Sequence, residues 1–124
     1  MSIPQSSEQQ PDAACEFDEA AHALVVRLSV ERFADAEATA AKQAITEKLR
    51  TCRYRLVVDL TPVAYVASTG LGVLVALRDL VMKHGGALSV FGAHPGMAET
   101  FRLTHLDEAL NLRSTRDEAL AAVA

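Results

Sequence analysis

One continuous stretch, residues 54–86, constrains the fold more than any other part of this 124-residue sequence. It begins with the apolar run RLVVDL at 55–60, passes through a loop containing Ala-Ser-Thr-Gly at 67–70, and ends at Gly85-Gly86. The apolar run, closed by Thr-Pro, predicts a buried strand, and the leucines and valines that follow predict a helix from about Thr69 to His84. A buried strand that leads through a loop into a helix is typical of α/β proteins.

The segments on either side continue this alternation. Before the central unit we predict two strands in an antiparallel hairpin, followed by an Ala-rich helix with its apolar stripe at Ala41, Ile45 and Leu49. After the central unit we predict a strand, a helix, a short strand and a terminal helix. In chain order the other predicted segments are a strand starting at Cys15, a half-buried strand at Ala23–Val30, a strand at Ala87–Phe91, a helix from Met97 to Leu103, a strand at Leu110–Leu112 and a helix at Glu118–Val123. The pattern predicts a single mixed, mostly parallel sheet of four to five strands packed with about four helices.

Polar residues mark the predicted helix starts. Asp35 precedes the Ala-rich helix and is predicted to be its N-cap. Ser114 and Thr115 are each followed three residues later by an acidic residue, which predicts a capping box before the terminal helix.

Composition favours one domain and excludes several kinds of partner. Residues 15–124 are expected to form the domain, because half of the sequence is hydrophobic, whereas the polar segment 1–14, with Pro4 and Pro11, is predicted to be a flexible tail. The net charge of −4 argues against nucleic acid and anionic membranes as partners. Neither a membrane span nor a signal sequence is apparent, so the expected location is cytoplasmic.

Enzyme and metal signatures are absent from the sequence. It has no P-loop, no HExxH and no GxSxG motif, and its two cysteines and four histidines lack ligand spacing. The sequence leaves open a triad built on Ser68, because its partners would meet only in three dimensions. We predict a non-enzymatic protein without catalytic residues, metal or cofactor.

Residue chemistry gives Ser68 two interpretations. A hydroxyl just before an apolar helix is typical of an N-cap, and Thr69 could take the same part. Alternatively, Ser68 is a phosphorylation site, where a phosphate would place nearly two negative charges at an exposed helix N-terminus.

Beyond these patterns, the sequence VVDLTPVAYVASTGLGVLVALRDLVMKHGG resembles the central motif of the STAS family, the anti-sigma-factor antagonists. That motif is an apolar strand ending in Asp-Leu, a short hydrophobic piece, Asp-Ser-Ser/Thr-Gly-Leu-Gly, a long apolar helix and Gly-Gly. The later segment FRLTHLDEALNLRSTRDEAL is similar to the end of the family pattern. The resemblance covers residues 15–124 and implies the STAS fold.

The resemblance also implies a function. Members of this kind are bacterial regulators that bind an anti-sigma factor, usually a serine kinase of the histidine-kinase-like ATPase fold, and thereby release the sigma factor. The kinase phosphorylates the motif serine and a serine phosphatase reverses the reaction. By position that serine is Ser68, with Thr69 the weaker candidate. The partner-binding residues that the resemblance implies are Asp35, Val66, Ala67, Ser68, Thr69, Gly70, Leu71 and Gly72, the two glycines allowing a partner to approach the backbone closely.

The sequence departs from the family pattern at three places. Ala67 replaces the usual Asp before the serine, the family turn after the second strand matches Phe33 and Asp35 only with one inserted residue, and His105 replaces a glycine. Two alternatives therefore stay open: a divergent, non-phosphorylated STAS scaffold, and the STAS subunit of a lipid-transport ABC complex. An enzyme or small-ligand binder would need a pocket lined by converging polar groups.

Overall fold

The computed structural model describes residues 15–124, and the tail predicted at 1–14 lies outside them. Five strands form one sheet in the order β1-β2-β4-β6-β7, and two short strands, β3 and β5, form a second, parallel pair. The strands are β1 (Cys15–Ala20), β2 (Ala23–Leu28), β3 (Arg32–Phe33), β4 (Arg55–Asp59), β5 (Tyr65–Val66), β6 (Ala87–Phe91) and β7 (Leu112–Arg113).

Five α-helices connect and cover these strands in the described part of the chain. They are α1 (Asp35–Leu49), extended by a 3₁₀ turn (Arg50–Cys52), then α2 (Ser68–Lys83), α3 (Pro95–Leu103), α4 (Leu106–Ala109) and α5 (Arg116–Val123). Strand β1 is antiparallel to β2, and every other neighbouring pair in the main sheet is parallel. The predicted mixed, mostly parallel α/β sheet is confirmed.

The antiparallel hairpin is closed by two residues in the left-handed region. Ala21 has φ 53° and His22 has φ 66°, the conformations that a type I′ turn requires. Glycine and asparagine are the usual residues there, so the sequence carried little turn signal. The predicted hairpin is nevertheless confirmed, with Cys15 opposite Leu28.

Helices cover both faces of the main sheet. On one face α1, α2 and α3 pack over the central strands, with Ile45, Leu77 and Phe101 fully or almost fully buried. On the other face α5 places Ala119 and Val123 against the sheet. The two-layer covering explains why the residues of β4 from Leu56 to Val58 are all buried, as their uninterrupted apolar run predicts.

The prediction of a half-buried second strand is wrong. Within β2 the positions that alternation assigned to solvent include Val25, which is buried against α5. Arg27 alone is exposed in that strand. The covering helix lies about ninety residues further along the chain, so the local pattern carries no sign of it.

Most predicted boundaries agree with the structure, and the last strand differs most. Strand β6 has its predicted bounds, whereas β7 begins at Leu112 because Leu110 is the C-cap of α4 and packs in the core. The predicted hydroxyl cap of α5 is confirmed at Thr115, whose Oγ1 accepts from the Glu118 N–H at 3.1 Å. The reciprocal bond of a capping box is shifted by one residue, because Glu118 Oε1 accepts at 3.1 Å from the N–H of Ser114, which precedes the N-cap.

Candidate partner-binding site

The predicted site lies at the carboxyl end of the parallel strands, where α/β sheets usually bind ligands and partners. Strand β4 ends at Asp59, and the chain then runs through β5 to the start of α2 at Ser68. Parallel pairing with β3 holds β5 in register, with Phe33 opposite Val66. The Ala67 N–H donates to the Phe33 carbonyl at 3.1 Å, so the chain remains attached to β3 up to the helix.

Ser68 does not cap α2, and the capping interpretation is therefore wrong. Helix α2 begins at Ser68 itself, and its N-cap residue is Ala67, whose extended backbone has φ −78° and ψ 172°. No side-chain hydrogen bond caps this helix. Ser68 is exposed, and its hydroxyl makes no hydrogen bond to any residue of the described chain. The Ser68 hydroxyl therefore does not stabilise the start of α2.

Thr69 is tied to Asp35 by two hydrogen bonds. The Asp35 N–H donates to Thr69 Oγ1 at 2.7 Å, and the Thr69 hydroxyl donates to Asp35 Oδ1 at 3.2 Å. We call this pair the Asp35–Thr69 clasp. It joins the first residue of α1 to the first turn of α2, across 34 residues of sequence.

The prediction that Asp35 caps α1 is also wrong. The N-cap of α1 is Ala34, and no side-chain hydrogen bond caps that helix. Asp35 follows it with a left-handed φ of 52°, a conformation that Asp tolerates better than most residues. Its carboxylate accepts from Thr69 instead, so the acid serves a contact between helices.

Gly70 has a packing role at the junction of α2 and β3. It is buried, and a Cβ at this position would lie 2.3 Å from the Phe33 carbonyl oxygen. Its missing side chain therefore lets α2 press against β3. Gly72 is exposed, and a Cβ there would meet nothing within 4 Å. Of the two glycines, Gly72 is the one available to an approaching molecule.

Beside Ser68 the surface opens into a groove of about 350 Å³. Its lining combines residues from β5, the start of α2 and the start of α3, and it is mainly apolar. We call this the α2–α3 groove; its lining residues are Ala64, Tyr65, Val66, Leu71, His94, Gly96, Met97, Thr100 and Phe101. Tyr65 is 52% exposed at the groove, and the Arg32 guanidinium lies 5.0 Å from the centre of its ring.

The structure brings all eight predicted site residues into one region. Val66 and Leu71 line the groove, Ala67 holds the turn into α2, and Asp35 reaches the same turn through Thr69. The contribution of α3 to the groove, and in particular that of Met97, is not predicted by the sequence. The pattern predicts Met97 in a helix, but no local pattern distinguishes a groove residue from a core residue.

The described residues contain neither a metal-binding cluster nor a helix that could span a membrane. Within residues 15–124, no three His, Cys, Asp or Glu side chains are placed to hold a metal ion. Among the helices of the same residues, none is long and apolar enough to cross a membrane. At the C-terminus of α2, His84 has Nδ1 3.0 Å from the Leu80 carbonyl oxygen and stacks on Tyr54.

Comparison with known protein families agrees with this architecture. Residues 14–119 match the family described as the STAS domain. The chain belongs to the STAS domain family. The match covers most of the sequence and contains β1 to β7 with the whole of the candidate site.

Several solved structures that are similar to this STAS domain are anti-sigma factor antagonists. An anti-sigma factor antagonist from Mycobacterium paratuberculosis is 30% identical, with a TM-score of 0.73, covering 88% of this chain and 92% of that chain. A putative anti-sigma factor antagonist from Thermotoga maritima is 21% identical, with a TM-score of 0.75 and coverages of 91% and 97%. The Bacillus cell fate determinant SpoIIAA, solved in its phosphorylated form, is 14% identical, with a TM-score of 0.68 and coverages of 87% and 97%. The last two likenesses show the fold, and the first also supports the family.

Proposed function

We propose that this STAS domain is an anti-sigma factor antagonist that acts in the cytoplasm of a bacterium. In this proposal it binds an anti-sigma factor that is a serine kinase of the histidine-kinase-like ATPase fold, and so releases the sigma factor. Phosphorylation of Ser68 by that kinase ends the binding, and a serine phosphatase restores it. The protein acts by binding and catalyses no reaction itself.

The observation that carries the proposal is the structural environment of Ser68. Its side chain is exposed at the first residue of a long helix, and its hydroxyl has no hydrogen-bond partner in residues 15–124. A serine with neither a capping nor a packing role can be modified without loss of a stabilising contact. The 30% identity to an anti-sigma factor antagonist supports the same function.

The start of α2 suits a phosphate. The first backbone N–H groups of a helix have no acceptor within it, and the helix dipole favours negative charge there. Because no side chain occupies these donors in α2, a phosphate on Ser68 would be stabilised locally. The fold would be kept while the surface gained nearly two negative charges.

The partner surface consists of Ser68, the exposed Gly72 and the neighbouring α2–α3 groove. Apolar groove walls with an exposed Tyr at their edge provide the burial on which protein–protein affinity depends. A phosphate beside this groove would oppose docking through desolvation and repulsion of acidic groups on a partner. One modification could therefore end binding without a change of shape.

Capture of the partner tests this function. The tagged protein is used to isolate binding proteins from an extract of its source cells, which are identified by mass spectrometry and then incubated with it and Mg²⁺-ATP. We expect a kinase-type ATPase to be captured and to phosphorylate Ser68. Ser68→Ala should remain able to bind while losing the phosphate. Capture of such an ATPase without modification of Ser68 would contradict the switch but keep the binding function.

One observation favours a second function, a scaffold that is not phosphorylated. The N-cap of α2 is Ala67, where the family pattern places an Asp beside the acceptor serine. A STAS subunit of a lipid-transport ABC complex is one form of such a scaffold. Neighbouring genes for a transporter, together with unchanged partner affinity in Ser68→Glu, would favour the scaffold; a neighbouring kinase-type ATPase gene favours the antagonist.

A further inference from the structure

We infer that Asp35 determines which of two adjacent hydroxyls is phosphorylated, because the Asp35–Thr69 clasp occupies Thr69 and leaves Ser68 available. This inference rests on the proposed function, in which a kinase modifies the start of α2. It assigns Asp35 a positioning role that acts through Thr69. In the sequence, only the position of Ser68 in the family motif favours it over Thr69.

Exposure does not distinguish the two hydroxyl residues, since Ser68 and Thr69 are both exposed. Their hydrogen bonds do distinguish them. Thr69 Oγ1 accepts from the Asp35 N–H at 2.7 Å and donates its proton to Asp35 Oδ1 at 3.2 Å. Ser68 Oγ has no partner in the described chain. Only one of the neighbouring hydroxyls is therefore unengaged and able to rotate.

The transfer requires an unengaged oxygen. In the reaction the hydroxyl oxygen attacks the γ-phosphorus of ATP, a new O–P bond forms, and the bond from phosphorus to the bridging oxygen of ADP breaks. The hydroxyl proton passes to a basic group of the kinase or to water. For Thr69, the short bond from the Asp35 N–H holds a lone pair of the attacking oxygen, and the carboxylate fixes the direction of its proton. Both contacts must be broken before Thr69 can align with ATP.

The backbone around the clasp keeps Asp35 in place. Asp35 has a left-handed φ of 52°, and the preceding residue, Ala34, is buried. The adjoining Phe33 carbonyl accepts from the Ala67 N–H and lies against Gly70, so β3 and α2 are in close contact at this point. The clasp is thus part of a packed junction and not an isolated surface contact.

A matched pair of substitutions isolates the side chain. Asp35→Ala removes the oxygen that accepts the Thr69 proton. Asp35→Asn keeps an oxygen at the same position and also tolerates the left-handed backbone. Each variant is incubated with the captured kinase and Mg²⁺-ATP, and the share of phosphate on Thr69 relative to Ser68 is measured by mass spectrometry. This ratio within one sample is insensitive to how well each variant binds the kinase.

We expect the wild type to carry its phosphate on Ser68 and Ser68→Ala to carry almost none. In Asp35→Ala the share on Thr69 should rise by about tenfold or more, the size of effect that a hydrogen bond to a charged group supports. Asp35→Asn should remain close to the wild-type ratio. A merely structural role for Asp35 would alter stability or total labelling without moving phosphate from Ser68 to Thr69.

Three results would overturn the inference while keeping the proposed function. Ready labelling of Thr69 in Ser68→Ala would show that the clasp does not protect it, and that Asp35 could instead act as its base. An unchanged ratio in Asp35→Ala would remove the selecting role. A complete loss of labelling in Asp35→Ala would make Asp35 a docking residue. If the wild type accepts no phosphate from the captured kinase, both the proposed switch and this inference fail.

Discussion

The starts of α2 and α5 are two helix N-termini with hydroxyl residues that are used in opposite ways. At α5 Thr115 is the N-cap and accepts from the Glu118 N–H, while Glu118 returns the contact to the Ser114 N–H. At α2 the N-cap is Ala67, and the hydroxyls follow at the first and second helical positions. At α5 the N-terminal backbone N–H groups are capped by neighbouring side chains, whereas at α2 no side chain caps them.

The difference shows that a hydroxyl near a helix start is informative only when its position is known to a single residue. A serine at the N-cap stabilises the helix through its hydrogen bond, whereas a serine one residue later has no capping role and its hydroxyl is available for modification. If the start of α2 serves binding and the start of α5 serves stability, substitutions at the two helix starts should differ in their effects, and substitutions within α2 should separate its packing from its exposed surface.

Gly70→Ala should destabilise the protein most. The added Cβ would lie 2.3 Å from the Phe33 carbonyl oxygen, and overpacking of a backbone contact costs about 3 kcal/mol of the free energy of unfolding. Urea denaturation followed by circular dichroism measures the change. Gly72→Ala is the control: its Cβ meets nothing within 4 Å, and it should add about 0.5–1 kcal/mol through helix propensity. Equal effects of the two substitutions would contradict the packing at β3.

Ser68→Glu should weaken binding to the captured partner by about tenfold or more, since it places a charge where a phosphate would be. Stability should change little, because no hydrogen bond is lost. Isothermal titration calorimetry with the captured partner measures affinity. The matched control is Thr115→Glu, which adds the same charge at the start of α5 and should leave affinity nearly unchanged. Loss of affinity in both variants would indicate a general charge effect.

Thr115→Ala should lower the free energy of unfolding by about 1 kcal/mol, the usual contribution of an N-cap hydroxyl. Ser68→Ala should change it by less than about 0.5 kcal/mol, because its hydroxyl caps nothing. Chemical denaturation of both variants under the same conditions tests the comparison between the two helix starts. A loss of similar size in Ser68→Ala would mean that its hydroxyl caps α2 in solution.

Ala67→Asp should stabilise the protein by about 0.5–1 kcal/mol. The extended backbone at Ala67 is that of an N-cap, and an Asp side chain would accept from the first-turn N–H groups and favour the helix dipole. The midpoint of thermal unfolding measures the gain. Ala67→Asn, which caps without charge, separates the hydrogen bond from the dipole. No gain in either variant would contradict the assignment of Ala67 as the cap position.

The fold followed from the sequence because its signals are local and continuous. The uninterrupted apolar run of β4 and the long pattern of α2 identify the central unit, and the family motif identifies its fold. The error over β2 has a clear cause. Val25 is buried because α5 packs on it, and α5 lies far along the chain. The period-two alternation within β2 therefore contains no information about this burial.

The site was predicted less completely than the fold. Its loop was located from Ser68 and its neighbours, but the clasp joins Asp35 to a residue 34 positions away, and no local rule pairs them. The two-residue strands β3 and β5 are too short for any periodicity. An error of one residue in the helix boundary was enough to assign a cap to Ser68. The set of residues that meet at the site is therefore determined by three-dimensional packing, which local sequence patterns do not show.

The short pairing between β3 and β5 fixes the length of the connection before α2. Surface loops usually tolerate insertions, yet here the N–H groups of Ala64, Tyr65 and Ala67 are bonded to carbonyls around β3. One extra residue after Val66 would either break these bonds or rotate the exposed stripe of α2 by about 100°. The number of residues between the sheet and the serine therefore cannot change without breaking these bonds or rotating α2, although the serine itself is on the surface.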